Sequence, residues 1–309
     1  MEAISNKTNF FSKAKKVITK KQFYLYILPW LIALICFTLI PMIVSFILSF
    51  TSAKASTITT KPLKFIKLLN YTDIFTTDHL FWRSVLNSFV YAILKVLVTI
   101  VFSFIIALLL NKNGKYYKLK NFYRVLIYLP AVIPAVASAL LWQLLICQDK
   151  SLIVNLLSKL GLGKIDFRNS ATAMISVVLI NSLGAIGPWM IVILSALQNV
   201  SNDLLDAANV DGAKKFQVLL NVIIPSISPS LFFLLSTGFI NTLQAYTEIT
   251  LLFGDNYNTY TMTMCIMQNA FNGAGMGYAC AMAWICFAII SIFTFIFFKT
   301  IGKKVYYGS

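Results

Sequence analysis

Acidic side chains are scarce in this sequence: ten Asp and Glu stand against 26 Lys and Arg in 309 residues. There is one histidine, His79, which lies beside Asp78 in a polar stretch and reads as a solvated residue. No cluster of His, Glu and Asp offers a metal or a proton relay, no activated nucleophile stands out, and no glycine-rich loop is built to cradle phosphates. These absences count against a stand-alone membrane enzyme. The five cysteines (Cys36, Cys147, Cys265, Cys280 and Cys286) show no CxxC spacing and mostly sit in apolar runs. They read as small hydrophobic side chains rather than a disulfide framework or a metal site. Internal repeats, low-complexity tracts and a soluble domain are lacking too. With no room for a nucleotide site, any energy source has to come from another chain.

Apolar residues are what the chain has in excess. They make up 59% of it, the mean hydropathy is +0.79, and only 12% of residues are charged. A globular core cannot enclose that much apolar surface at this length, so the composition describes an integral membrane protein. A helix needs about 20 apolar residues to cross the hydrocarbon. Spans are expected at about 24–50, 84–110, 123–146, 171–197, 230–252 and 277–298. The first is too long, and too deep behind a polar leader, for a cleavable signal peptide. The expected organisation is a basic leader over 1–23 followed by a six-span transmembrane domain over 24–309.

The net charge of +16 does not follow one face, as a nucleic-acid site would require; it clusters between the spans. Sixteen Lys and Arg fall on the side holding the leader, Lys112 to Arg124, Lys214-Lys215 and Lys299 to Lys304, against nine on the other. By the positive-inside rule both termini are cytoplasmic, and anionic lipid is the partner of the basic clusters. On the outer side, Ser151 to Gly161 carries apolar residues at 152, 153, 156, 157 and 160, the spacing of a short surface helix.

A polar interruption from Ser201 to Pro225 separates two apolar runs and predicts two short helices hinged at Asp211-Gly212. Ser201 or Asn202 can cap the first, and Ala207-Ala208 leaves a low surface for close contact. Asp211 is expected to cap the second helix, Gly212 to relieve the turn, and Pro225 to stop the helix. The run Asp206-Ala207-Ala208, Asp211-Gly212-Ala213, then Val222-Ile223-Ile224-Pro225, resembles the EAA loop of ABC-importer permeases. Further features resemble the sugar-permease branch of that family: Tyr123-Arg124, Leu129-Pro130, Pro134, Trp142, Gly187-Pro188-Trp189, Leu197-Gln198 and Gly277-Tyr278-Ala279. The chain departs from it at Asp206, where Glu is usual, and at Gly254-Asp255-Asn256, where many relatives have Gly-Gly-Pro.

The resemblance implies an all-α membrane protein of the type I importer permease class, with six transmembrane helices and a cytoplasmic EAA-type coupling helix within 198–225. It implies a bacterial inner-membrane location and no cofactor in this chain, since ATP and magnesium belong to a partner ATPase dimer. A second homologous permease, an extracellular solute-binding protein and a sugar-like solute are the other implied partners, and no nucleic acid is. The alternative is the same architecture importing a glycerol phosphate, an amino acid or a polyamine. Coupling would fall to Asp206, Ala207, Ala208, Asp211, Gly212, Ala213 and Pro225.

Polar groups inside spans are costly and should face protein or water. Thr237, Asn241, Gln244 and Glu248 recur at steps of four, three and four, so on one continuous helix they would share a face. With Thr242 and Tyr246 beside them, they offer hydroxyl partners and an aromatic ring to a sugar. Asn181 on the fourth span corresponds, through the resemblance, to a position lining the sugar site of maltose-type permeases. These amides could equally serve as interhelical hydrogen bonds. Lys95, halfway along the second span, could compensate an anionic solute, pair with Glu248 or snorkel along its helix, and a structural role is favoured. Its expected depth of about 16 Å, against about 6 Å for Glu248, argues against pairing the two.

Overall fold

The computed structural model describes residues 20–54, 63–111, 117–146, 151–160, 167, 169, 172–254, 256–272 and 275–306. The leader up to residue 19, Cys147, Asp255 and part of the outer basic residues lie outside them. Among the described residues the chain is helical, with one isolated bridge between Thr51 and Phe65. Five helices among the described residues are long and apolar enough to cross a membrane, or six spans if one bent pair counts as one.

The first span comprises α1 (Lys20–Leu34), a π turn (Ile35–Leu39) and α2 (Ile40–Leu48). Pro41 at the start of α2 explains the wide turn, because its ring would clash with a carbonyl four residues back in a tight helix. Short α3 (Leu69–Thr76) leads into α4 (His79–Asn111), which is longer than the 84–110 expected. Asp78 begins α4 by accepting the Phe81 amide at 2.8 Å.

The third span is not one straight helix. It breaks into α5 (Tyr117–Val132) and α6 (Ala135–Ile146), bent by 93° at Ile133-Pro134. Pro134 has no amide hydrogen to continue the ladder and biases Ile133 away from helical geometry. Helix α7 (Leu152–Lys159) forms where the spacing predicts a short helix, capped by Ser151, with Leu152, Leu156 and Leu160 exposed. The fourth span, α8 (Ala173–Gln198), packs along α4 and against α5. Gly187 makes the second contact possible, since a Cβ there would meet the Ile127 carbonyl at 2.7 Å.

The fifth span differs most from expectation. It runs over Lys215–Leu243, as α10 (Lys215–Val218), a π turn (Leu219–Ile223) and α11 (Ile224–Leu243). It thus lies a few turns N-terminal of the 230–252 read from hydropathy. Pro225 does not stop the helix. It sits just after the π turn, as Pro41 does, and the helix continues past it for another 18 residues' worth of α11 ending at Leu243. Helix α12 (Thr247–Phe253) is separate, divided from α11 by Gln244 to Tyr246. Helices α13 (Met262–Phe271) and α14 (Met276–Thr300) complete the chain.

Two buried apolar clusters hold these helices. One gathers Phe81, Tyr91, Val177, Leu243, Ile249, Met262 and Met282 around α4, α8, α12, α13 and α14. The other gathers Ala107, Met190, Ile193, Ile227 and Leu234 nearer the 202–218 loop. The first span joins neither cluster, and its outer end is tied by hydrogen bonds: Asn70 donates to the carbonyls of Ser49 (2.7 Å) and Thr51 (3.0 Å), and the Gly277 amide to Ala53 (2.9 Å). Gly277 is required there, because a Cβ would overlap the Thr51 carbonyl.

Candidate functional site: a mid-span cavity and a polar loop

Helix α4 carries a polar stripe through its apolar length. Ser84, Ser88, Tyr91, Lys95, Thr99 and Ser103 recur at three and four residues, the spacing of one helical face. Ser88 accepts the Met262 amide at 2.9 Å, and Ser103 donates to the Ile186 carbonyl at 3.0 Å. The Thr99 hydroxyl is buried and has no hydrogen-bond partner among the described residues. In the middle of the stripe, Tyr91 is 1% exposed and its hydroxyl accepts the Asn181 amide at 2.8 Å. Lys95 Nζ lies 5.6 Å from the centre of the Tyr91 ring, within cation–π reach.

A cavity of about 470 Å³ opens beside these groups. The break at Pro130 to Pro134 forms one wall, because the bend turns α6 aside and leaves space where a straight helix would pack. Asn181 and Gly184 of α8, Lys95 of α4 and Glu248 of α12 line the rest. The helix break at Gln244 is what delivers Glu248. Lys95 and Glu248 thus face one cavity, although the depth estimate had set them apart. That estimate assumed an unbroken fifth helix.

For the same reason Asn241, Gln244 and Glu248 do not share a helical face. Asn241 and Gln244 end α11, exposed, and Gln244 donates its side-chain amide to the Ile240 carbonyl at 3.1 Å. Gln244 lines a different groove of about 790 Å³ with Met262, Thr263 and residues of α14. Thr242 is buried at 6% exposure, and Tyr246 packs on the apolar cluster next to it. Thr237 is half-buried and returns its hydroxyl to the Phe233 carbonyl at 2.7 Å.

The polar loop is a helical hairpin. Ser201 caps α9 (Asn202–Val210), accepting the Asp203 amide at 3.2 Å. Asp211 does not begin the second helix; it closes the first. The Gly212 amide bonds to Asn209 at 3.1 Å and that of Ala213 to Ala208 at 3.0 Å, with Gly212 at φ +73°, the bonding pattern of a Schellman cap. Helix α10 begins instead at Lys214, whose amide donates to the Gln217 side chain at 2.8 Å. Asp206 and Ala207 are exposed, with Ala208 and Ala213 half-buried. Val210 (87%) and Phe216 (68%) are exposed apolar groups on this polar element.

Residues 103–306 match the family described as binding-protein-dependent transport system inner membrane component. The chain is also 34% identical, over 93% of its length and 92% of the relative's, to the probable ABC transporter permease protein YesP of Bacillus subtilis (strain 168). The chain belongs to this transport family. This inner-membrane component is also 26% identical to the arabinooligosaccharides transport system permease protein AraP of the same organism, over 91% of this chain and 88% of that one. Its fold matches a chain in the crystal structure of a bacterial alginate ABC transporter in complex with an alginate pentasaccharide-bound periplasmic protein. The TM-score is 0.78 and the identity 22%, over 92% of this chain and 94% of that one. The multi-pass, all-helical architecture expected from composition is that of the family.

Of the residues expected along the pathway, Asn181 and Glu248 lie at this cavity; Ser138, which also lines it, Tyr91 beside it and the proline wall were not among those expected. The α4 stripe was legible as polar residues at helical spacing inside an apolar run. The cavity itself was not, because it depends on two helix breaks.

Proposed function

We propose that this chain is the membrane-spanning subunit of an ATP-driven importer, and that the solute it passes is a carbohydrate. The reading rests on one observation: a chain of the binding-protein-dependent family has both an exposed hairpin with small residues, leading from its fourth span into its fifth, and a polar cavity within the spans. The Asn181 amide, the Glu248 carboxylate and the Ser138 hydroxyl around one cavity match sugar hydroxyls, which both donate and accept. The full-length similarity to an arabinooligosaccharide permease supports the same class.

On this reading Asn181 and Glu248 line the path from the cavity side. Asn241 and Gln244 line it from the exposed end of α11, toward a second permease, while Thr242 and Tyr246 hold the bend between them. The hairpin is the coupling element, on the cytoplasmic side together with both termini. Asp206, Ala207, Ala208, Asp211, Gly212 and Ala213 form its contact with an ATPase dimer, and Pro225 belongs to the helix that carries the movement into the membrane. The ATPase binds and hydrolyses ATP; this chain supplies a two-state pathway that the ATPase biases, and an extracellular solute-binding protein delivers the sugar.

The test is uptake by the assembled importer, supplied in turn with labelled oligosaccharides, amino acids and polyamines. Saccharide import that stops when ATP is withheld is the expected result. Import of amino acids or polyamines alone would refute the carbohydrate reading.

A further inference from the structure

The chain that follows the first span carries positive charge where the membrane topology predicts little. Residues 51–83 hold four Lys and one Arg against two Asp, at the end of the bundle away from the hairpin. The positive-inside rule depletes Lys and Arg from that side, so the excess needs a local reason. Lys54, Lys64 and Lys67 are exposed, and among the described residues no carboxylate pairs with them. Of the two acids, Asp78 is engaged by the Phe81 amide and the Tyr278 hydroxyl.

Large apolar groups are interleaved with these lysines. Leu63, Phe65, Leu68 and Leu69 are all exposed, Phe65 by 70%. Backbone pairing fixes their height. The Ser52 amide donates to the Lys64 carbonyl at 3.0 Å and the Ile66 amide to the Phe50 carbonyl at 2.9 Å, around the bridge between Thr51 and Phe65. The apolar helix Tyr26–Leu48 is about 34 Å long, against a hydrocarbon thickness of about 30 Å. Phe65, opposite Thr51, therefore stands at the level of the lipid headgroups rather than out in water. Its ring centre lies 6.4 Å from that of Phe50, which lies 5.1 Å from that of Phe46. The apolar surface thus runs on into the exposed Ile43, Phe46 and Ile47 of the first span. Lysines beside phenylalanine and leucine at that level are the composition of an interfacial segment.

We propose that residues 63–69 form an interfacial anchor that binds anionic phospholipid. Lys64 and Lys67 take the headgroup phosphate, while Phe65, Leu68 and Leu69 enter the acyl boundary. The anchor holds the end of the first span, which joins neither apolar cluster, to the leaflet. Continuity with the apolar face of the span favours lipid over a soluble partner, which would meet the segment from above the membrane. The inference is independent of the solute carried.

A photoreactive ring at the exposed position, Phe65→p-benzoylphenylalanine, tests this. The importer is assembled with its receptor and ATPase in proteoliposomes of equimolar phosphatidylglycerol and phosphatidylcholine, irradiated, and its adducts identified by mass. The adducts should be phospholipid, with phosphatidylglycerol in excess by about fivefold or more, the gain from about one lysine at an anionic surface. Adding Lys64→Gln and Lys67→Gln should cut that ratio by about fivefold or more and leave the total lipid adduct unchanged, whereas Lys64→Arg with Lys67→Arg should keep it. Raising the salt should lower the ratio with both lysines present, because exposed charges are screened, and this readout stands even where the glutamine variant fails to insert. Lipid adducts without headgroup preference would overturn the proposal, as would a preference that survives loss of both lysines or ignores salt. Adducts mainly to the receptor or to a second permease would overturn it too, and would make the segment a protein interface.

Discussion

Tyr91 and Asn181 show how one hydrogen bond can organise a site. The tyrosine is buried and its hydroxyl fixes the asparagine amide at 2.8 Å, so the amide presents its remaining groups to the cavity in one orientation. Tyr91→Phe removes that acceptor and keeps the ring. The expected result is a rise in the solute concentration for half-maximal uptake by about three- to tenfold, from a neutral hydrogen bond worth about 0.5–1.5 kcal/mol. Unchanged kinetics at normal membrane abundance would show that the bond does not support solute binding. Gly212 is a second residue with a single physical reason. Its φ of +73° is the left-handed conformation that a Cβ disfavours by about 1–2 kcal/mol, although no neighbour would touch that Cβ. Gly212→Ala should therefore weaken the hairpin without a clash, and Gly212→Asn should weaken it less, as local hydrogen exchange can measure.

At the scale of elements, proline acts here through its neighbours. Pro41 and Pro225 each follow a π turn, and the helix continues past each of them. The wider turn frees the carbonyl that the ring would otherwise strike. Pro225→Ala should consequently leave the fifth span intact and the protein at near-normal abundance. A large loss of folded protein would mean that Pro225 still defines a boundary. Pro134 behaves differently, because there the chain turns by 93° and leaves a cavity wall. The α9–α10 hairpin exposes small and apolar residues, Ala207 and Val210 among them, between polar ones such as Asp206 and Asp211. On the proposed coupling role, Ala207→Trp and Gly212→Trp leave the chain inserted but separate ATP hydrolysis from import. Normal saccharide uptake by either complex, measured alongside ATPase rate, would count decisively against docking through this face.

For the whole molecule, two apolar clusters flank the middle of the bundle, and the first span stays outside both. Much of its surface is exposed, Phe37 by 83%, as suits a helix bathed in lipid or packed on a neighbouring subunit. On the proposed function, the purified chain alone should neither hydrolyse ATP nor accumulate solute, since the free energy that would bias its pathway comes from a partner ATPase. ATPase activity in the isolated, homogeneous chain would be incompatible with that division of labour. Cysteine-labelling of Lys303→Cys and Asp211→Cys from each side of oriented vesicles checks the proposed topology. Both positions should react from the cytoplasmic side, as the excess of basic residues on that side predicts.

The sequence by itself determined what depends on local, additive properties. Composition settled the solvent, the lengths of apolar runs located most of the spans, and Ser201, Gly212 and the small residues between them specified a helical hairpin. These follow from side-chain transfer into lipid and from backbone preferences that act within a few residues. Tertiary structure decided where helices break and what the breaks bring together. A row of polar residues at steps of three and four implies one face only while the helix is continuous, and the break at Gln244 placed Glu248 with Lys95 and Asn181 while leaving Gln244 in another groove. Hydropathy averaged over a span cannot register such a break, because apolar residues such as Ile240, Leu243, Ile249 and Leu252 stand on both sides of it. Nor can it register a proline's effect, which turns on whether the preceding turn widens, as before Pro225, or the chain bends away, as at Pro134.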